Sequence, residues 1–135
     1  MRALELGITA VAYEISVSGQ VLARLDGGPS ALLAGAGERL RDVDLEAAIE
    51  RAENWLMPSS RSFQGLTMHV RNTPVRLRNG FAAAASLTPQ EVERAFSGLV
   101  DDVAFHRAVD RDFVADLVLL RELVHHGALS GVVLE

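Results

Sequence analysis

The chain has no cysteine and no lysine. The first absence excludes disulfides, a thiolate nucleophile, iron–sulfur clusters and the usual cysteine-rich structural zinc site. The second excludes an internal Schiff base, pyridoxal-phosphate chemistry and a P-loop whose lysine reaches the phosphates. All 13 basic residues are arginine, as a GC-rich genome would give, so cationic recognition must be done by guanidinium, which favours bidentate contacts to anions. No apolar run approaches the roughly 20 residues that cross a bilayer, so no membrane association is expected. The N-terminus alternates apolar and polar residues and carries Glu5, unlike a signal peptide, and the expected compartment is the cytoplasm.

What is present is an ordinary globular composition. Of 135 residues, 49% are hydrophobic and 23% charged, with a net charge of −5. A chain of this size buries a core without staples and is expected to be a single domain over residues 1–135. The first quarter, Met1 to Gly28, reads as three short strands. Val11, Tyr13, Ile15 and Val17 alternate with smaller or polar residues, a period of two, and Ser18-Gly19 suits a two-residue hairpin turn. Asp26-Gly27-Gly28-Pro29 closes the third strand, and Ser30 to Gly37 reads as a short strand or one helical turn.

Further on, Asp44 can cap a helix running to about Met57 on the stripe Leu45, Ala48, Ile49, Ala52, Trp55 and Leu56. Residues 66–71 and 74–78 read as a second hairpin around Asn72-Thr73, with Pro74 confining its strand to an edge. Phe81 to Ser86 reads as a buried strand. Thr88-Pro89-Gln90-Glu91 is a well-formed helix start, with a break expected near Asp101-Asp102 or Asp110. A last helix carries Phe113, Leu117, Leu120 and Val124, stops at Gly127, and precedes a closing strand, Gly131 to Leu134. The fold class expected is α/β: a mixed sheet opening with a three-strand meander, helices packed on it. An α+β sandwich of two hairpins is the alternative.

Read in order, Leu4-Glu5-Leu6-Gly7-Ile8-Thr9-Ala10-Val11 and Ser18-Gly19-Gln20-Val21-Leu22-Ala23 resemble the opening of the actin-like ATPase and sugar-kinase superfamily. The C-terminal Leu120 to Leu134 is similar to the helix–glycine–strand that ends the first half of such a domain. The resemblance implies a ribonuclease H-like fold and a possible phosphate loop of Glu5, Gly7 and Thr9. In it Gly7 matches the family glycine, Thr9 a hydroxyl residue, and Glu5 stands where the family has aspartate. Glutamate is one methylene longer and would displace a metal-bound phosphate. The second phosphate loop of the family belongs to a further half, so the resemblance implies a half-domain unable to hydrolyse ATP alone.

Charge is unevenly placed. Between Glu53 and Glu91 there is no acidic residue, yet Arg61, Arg71, Arg76 and Arg78 lie there. On the expected second hairpin, His69, Arg71, Arg76 and Arg78 share the face away from the core, a cationic patch suited to an anion or an acidic surface. Nucleic acid is disfavoured, because the whole chain is acidic and no aromatic residue interleaves with these arginines. Trp55, Met57 and Phe63 form an aromatic and methionine cluster that could anchor an interface. Glu122 and His126 share a helix face, but without a third ligand no metal is expected, and no cofactor or catalytic residue is assigned. The leading expectation is a non-enzymatic binding or assembly module, self-associating or engaging an acidic protein partner through the arginine hairpin. The alternative is a small enzyme or sensor binding a phosphorylated metabolite or nucleotide.

Overall fold

A computed structural model describes residues 3–135; Arg2, expected at the start of the first strand, lies outside them. The elements in chain order are β1 (Leu4–Ile8), β2 (Ala12–Val17), β3 (Gln20–Asp26), α1 (Pro29–Leu32), α2 (Asp42–Leu56), a 3-10 turn (Ser60–Phe63), β4 (Thr67–Arg71), α3 (Val75–Gly80), β5 (Ser86–Leu87), α4 (Pro89–Ala104), α5 (Arg111–Gly127) and β6 (Gly131–Leu134). The strands form one mixed sheet in the order β3-β2-β1-β4-β6-β5. The first three run as an antiparallel meander, β4 and β6 join parallel to β1, and β5 pairs antiparallel with β6.

The expected opening meander is present, and its register follows from side-chain alternation. Leu4, Leu6 and Ile8 of β1 point to the same face as Tyr13, Ile15 and Val17 of β2 and Met68 and Val70 of β4; all are buried. Ser18 (φ 50°) and Gly19 (φ 82°) both take positive φ, which a tight hairpin turn matched to the sheet twist requires. The parallel pairings of β1, β4 and β6 need crossovers, and the helices supply them. α5 is the central one: Val114 to Leu120 are all fully buried, and it packs against α1, α2, α3 and α4. Thr88 caps α4 as expected, its hydroxyl accepting from Glu91 N while the Glu91 carboxylate accepts from Thr88 N. Among the described residues no helix is long and apolar enough to cross a membrane.

Three elements differ from expectation. Residues 75–80 form a helix, not the return strand of a hairpin: Arg78 N donates to Pro74 O, and β4 pairs instead with β1 and β6. Of the stretch 81–86 only Ser86 enters a strand, because Ala82 and Ala83 adopt positive φ. Ser30 to Gly37 follows the helical one of its two expected readings, contributing the short helix α1. α2 begins three residues earlier than expected, capped at Arg41, with Asp44 accepting from Arg41 N in its first turn. α4 runs unbroken through Asp101-Asp102 to Ala104, and of the two expected break points it is Asp110 that caps the next helix, α5.

Candidate functional site

Alternation puts polar residues on the second face of the sheet. Cross-strand register sets Arg24, Glu14, Gly7 and Arg71 in one row and Ser16, Glu5, His69 and Val133 in the next. The Arg71 guanidinium lies 2.9 Å from Glu5 Oε1 and 3.2 Å from Glu135 Oε2. His69 Nδ1 lies 3.1 Å from Glu135 Oε1. Arg24 bridges Glu14 at 3.1 Å and Asp26 at 2.8 Å. Within this polar field Gly7 leaves a gap: a Cβ built there would meet nothing nearer than Glu14 O at 3.9 Å. Gly7 and Arg71 sit at the carboxyl ends of two parallel strands, where open α/β sheets bind ligands.

The three possible phosphate-loop residues are therefore near one another but do not form one loop. Glu5 and Gly7 are strand residues of β1 on the polar face. Thr9 is in the β1–β2 turn, where its Oγ1 accepts from Val11 N and Ala12 N. The Glu5 carboxylate is held by Arg71, a partner that only the parallel β1–β4 pairing brings near.

The expected arginine patch is dispersed. Arg71 remains on the sheet face with His69. Arg76 instead turns inward from α3, and its Nε and Nη2 donate to Asp116 at 2.6 and 3.3 Å. Asp116 is fully buried on α5 and also accepts from the Tyr13 hydroxyl at 2.6 Å. Burial pushes the Asp116 carboxyl above the usual carboxylate range, while hydrogen bonds from Arg76 and Tyr13 pull the other way. The same burial, reinforced by the neighbouring Asp116 carboxylate, raises the Tyr13 hydroxyl, so it stays a donor. The Asp116 hydrogen bond raises the Arg76 guanidinium, which stays charged. Arg78 Nε donates to Thr73 O. Arg61 lies apart on the exposed side of the 3-10 turn. The aromatic cluster also separates: Phe63 is core, Trp55 is half-buried against it, and Met57 is exposed.

Sequence reasoning missed Tyr13, Asp116 and Arg76 as a set. Tyr13 and Asp116 are 103 positions apart, and Asp116 near a helix start reads as an ordinary dipole-favoured acid.

No protein-family model and no curated protein matches this chain. Solved structures do match. The Ppx/GppA enzyme of Aquifex aeolicus aligns over 100% of this chain and 53% of its own, with TM-score 0.71 and 10% identity. An exopolyphosphatase from Cytophaga hutchinsonii aligns over 99% and 53%, with TM-score 0.66 and 12% identity. An exopolyphosphatase-like protein aligns over 100% and 54%, with TM-score 0.65 and 6% identity. The chain thus spans about half the length of the structures it resembles. These neighbours correct the expectation of a non-enzymatic assembly module, which also fails on geometry, since the arginine hairpin does not exist. The likeness shows the fold: six mixed strands with helices packed on them, in the ribonuclease H-like arrangement of these neighbours.

Proposed function

We propose that this chain binds a phosphorylated metabolite or nucleotide on the polar face of its sheet, over Gly7 and beside Arg71. The observation that carries this reading is the row Arg24–Glu14–Gly7–Arg71, in which a strand backbone without a side chain lies between the Glu14 carboxylate and the Arg71 guanidinium. A guanidinium meets phosphate through two parallel N–H donors, and a glycine lets the phosphate approach the main chain. That the solved neighbours are named as phosphatases and exopolyphosphatases supports the same ligand class.

Charge refines the proposal. Arg24 and Arg71 face four carboxylates, those of Glu5, Glu14, Asp26 and Glu135. A bare polyanion would meet net negative charge there, so the ligand fits best as its divalent-cation complex. Glu14, across the strand pair from Gly7, and Glu5, two residues before it on β1, are the carboxylates that would face the cation. Thr9 serves this site indirectly, by fixing the turn that ends β1.

The test is a thermal-shift screen with nucleotides, sugar phosphates and polyphosphate, each with and without Mg²⁺. A ligand held only by the folded state at 100 times its dissociation constant adds about 2.7 kcal/mol. Gly7→Asp places a carboxylate in the gap, where its Cβ is tolerated, and should abolish the shift while keeping the fold. A flat screen, or a shift that Gly7→Asp leaves intact, overturns the reading.

A further inference from the structure

On the far side of the core, the helical layer brings together three side chains that the ligand site does not use. Glu53 is in the last turn of α2, and Glu122 and His126 are one turn apart near the end of α5. His126 Nε2 lies 3.3 Å from Glu122 Oε1 and 3.9 Å from Glu53 Oε2. One ligand atom from each of the three lies within 4.8 Å of the others. Tetrahedral ligand atoms held at about 2.1 Å from a zinc ion are about 3.4 Å apart. The groups therefore already stand near the spacing that a shared ion would impose.

Glu122 is the buried member of the cluster. Its side chain is only 1% exposed. One carboxylate oxygen accepts from Arg121 Nη1 at 2.7 Å. The other is aimed at His126 and Glu53, and its 3.3 Å contact with the imidazole lacks hydrogen-bond geometry. That oxygen is not sealed in the core, and so remains open to a cation. The surroundings also favour a cation. α2 and α5 both end here, turning the partial negative charge of their last carbonyls toward the cluster. The neighbouring Arg121 divides its charge between Glu122 and Glu93.

We propose that Glu53, Glu122 and His126 form a divalent-metal site of the zinc class, tying the end of α2 to the end of α5 with water completing the coordination. An imidazole with two carboxylates selects zinc or a similar transition ion over Mg²⁺ and Ca²⁺, which take oxygen ligands. The site lies where the chain leaves α2 and α5 to enter β4 and β6, at the amino ends of those strands. Gly7 and Arg71 lie toward the carboxyl ends of theirs, so the two sites are independent.

The test is calorimetric titration of the chelator-treated full chain with Zn²⁺, with Mg²⁺ in parallel, and thermal unfolding with each. Expected are one zinc per chain, a higher melting temperature with Zn²⁺, and much weaker binding of Mg²⁺. Glu53→Gln and His126→Ala should each weaken zinc binding by about tenfold or more. His125→Ala, altering the neighbouring imidazole, should leave it unchanged. Glu53 is part-exposed and its glutamine isostere keeps the fold, so that variant decides the matter even where His126→Ala fails to fold. No zinc binding, binding unchanged in Glu53→Gln, or loss in His125→Ala in place of His126→Ala overturns the proposal.

Discussion

Asp116 is the residue whose chemistry departs furthest from what its neighbours in sequence suggest. A carboxyl with no exposed surface, holding Tyr13 on the sheet and Arg76 on α3, pins three elements through one group. Because burial raises its pKa in the folded state, the folded form binds its proton more tightly than the unfolded chain does. Stability from this group is therefore full below the usual carboxylate range and is lost as pH rises through the raised folded value. Asp116→Asn cannot titrate, so its destabilisation relative to the natural chain should be larger at about pH 3.5 than at pH 7. Denaturant unfolding of both proteins at the two pH values checks this. A cost that grows with pH would mean that Arg76 outweighs burial. None of this was legible in the sequence, where Tyr13 is one of an alternating apolar set and Arg76 one of four arginines in an acid-free stretch. The same limit hid Glu53: helical spacing pairs Glu122 with His126, but a third ligand from another helix requires the packing of α2 on α5.

At the scale of elements, more was legible, and the reason is locality. The meander follows from alternation plus a Ser-Gly turn, and the start of α4 from a capping box; both signals lie within a few residues. Residues 74–80 show where such reading fails. Val75, Leu77 and the arginines between them alternate as a strand would, yet five residues are too few to separate a period of 2 from 3.6. What decides is the partner: β4 is filled on both edges by β1 and β6, so no edge remains for a hairpin return. The segment coils after Pro74 and buries Leu77 instead. Helix ends are set by close packing in the same way. A Cβ at Gly127 would come within 2.5 Å of the Phe63 ring, which is fully buried and cannot yield. A Cβ at Gly80 would overlap the ring of Phe113, which is half-exposed and can rotate. Overpacking costs about 1–3 kcal/mol, and Gly127→Ala should fall at the upper end and Gly80→Ala at the lower. Thermal unfolding of the two variants orders them, and a costlier Gly80→Ala would show that Phe113 is the less mobile ring.

The whole molecule is one-sided. The buried face of the sheet and every buried helical stripe belong to one core, while the other face carries ion pairs that satisfy one another. Such pairs on an exposed face contribute little to stability, about 0–1 kcal/mol each, because solvent screens them and long side chains lose freedom in forming them. Their arrangement is thus free to serve recognition without holding the fold. Arg71 gives the sharpest separation of the two roles. It sits beside Gly7 and is more than half exposed. Arg71→Ala should lower stability by less than about 1 kcal/mol, yet remove the stabilisation conferred by a phosphorylated ligand with Mg²⁺. That stabilisation should also shrink as salt rises from about 0.01 to 0.15 M, where the screening length falls from about 30 to 8 Å. Unfolding measurements on both proteins, with and without ligand and at both salt levels, distinguish the outcomes. A large loss in the ligand-free variant would make Arg71 part of the fold. Retention of the full ligand effect would move the anion site away from the β1–β4 row.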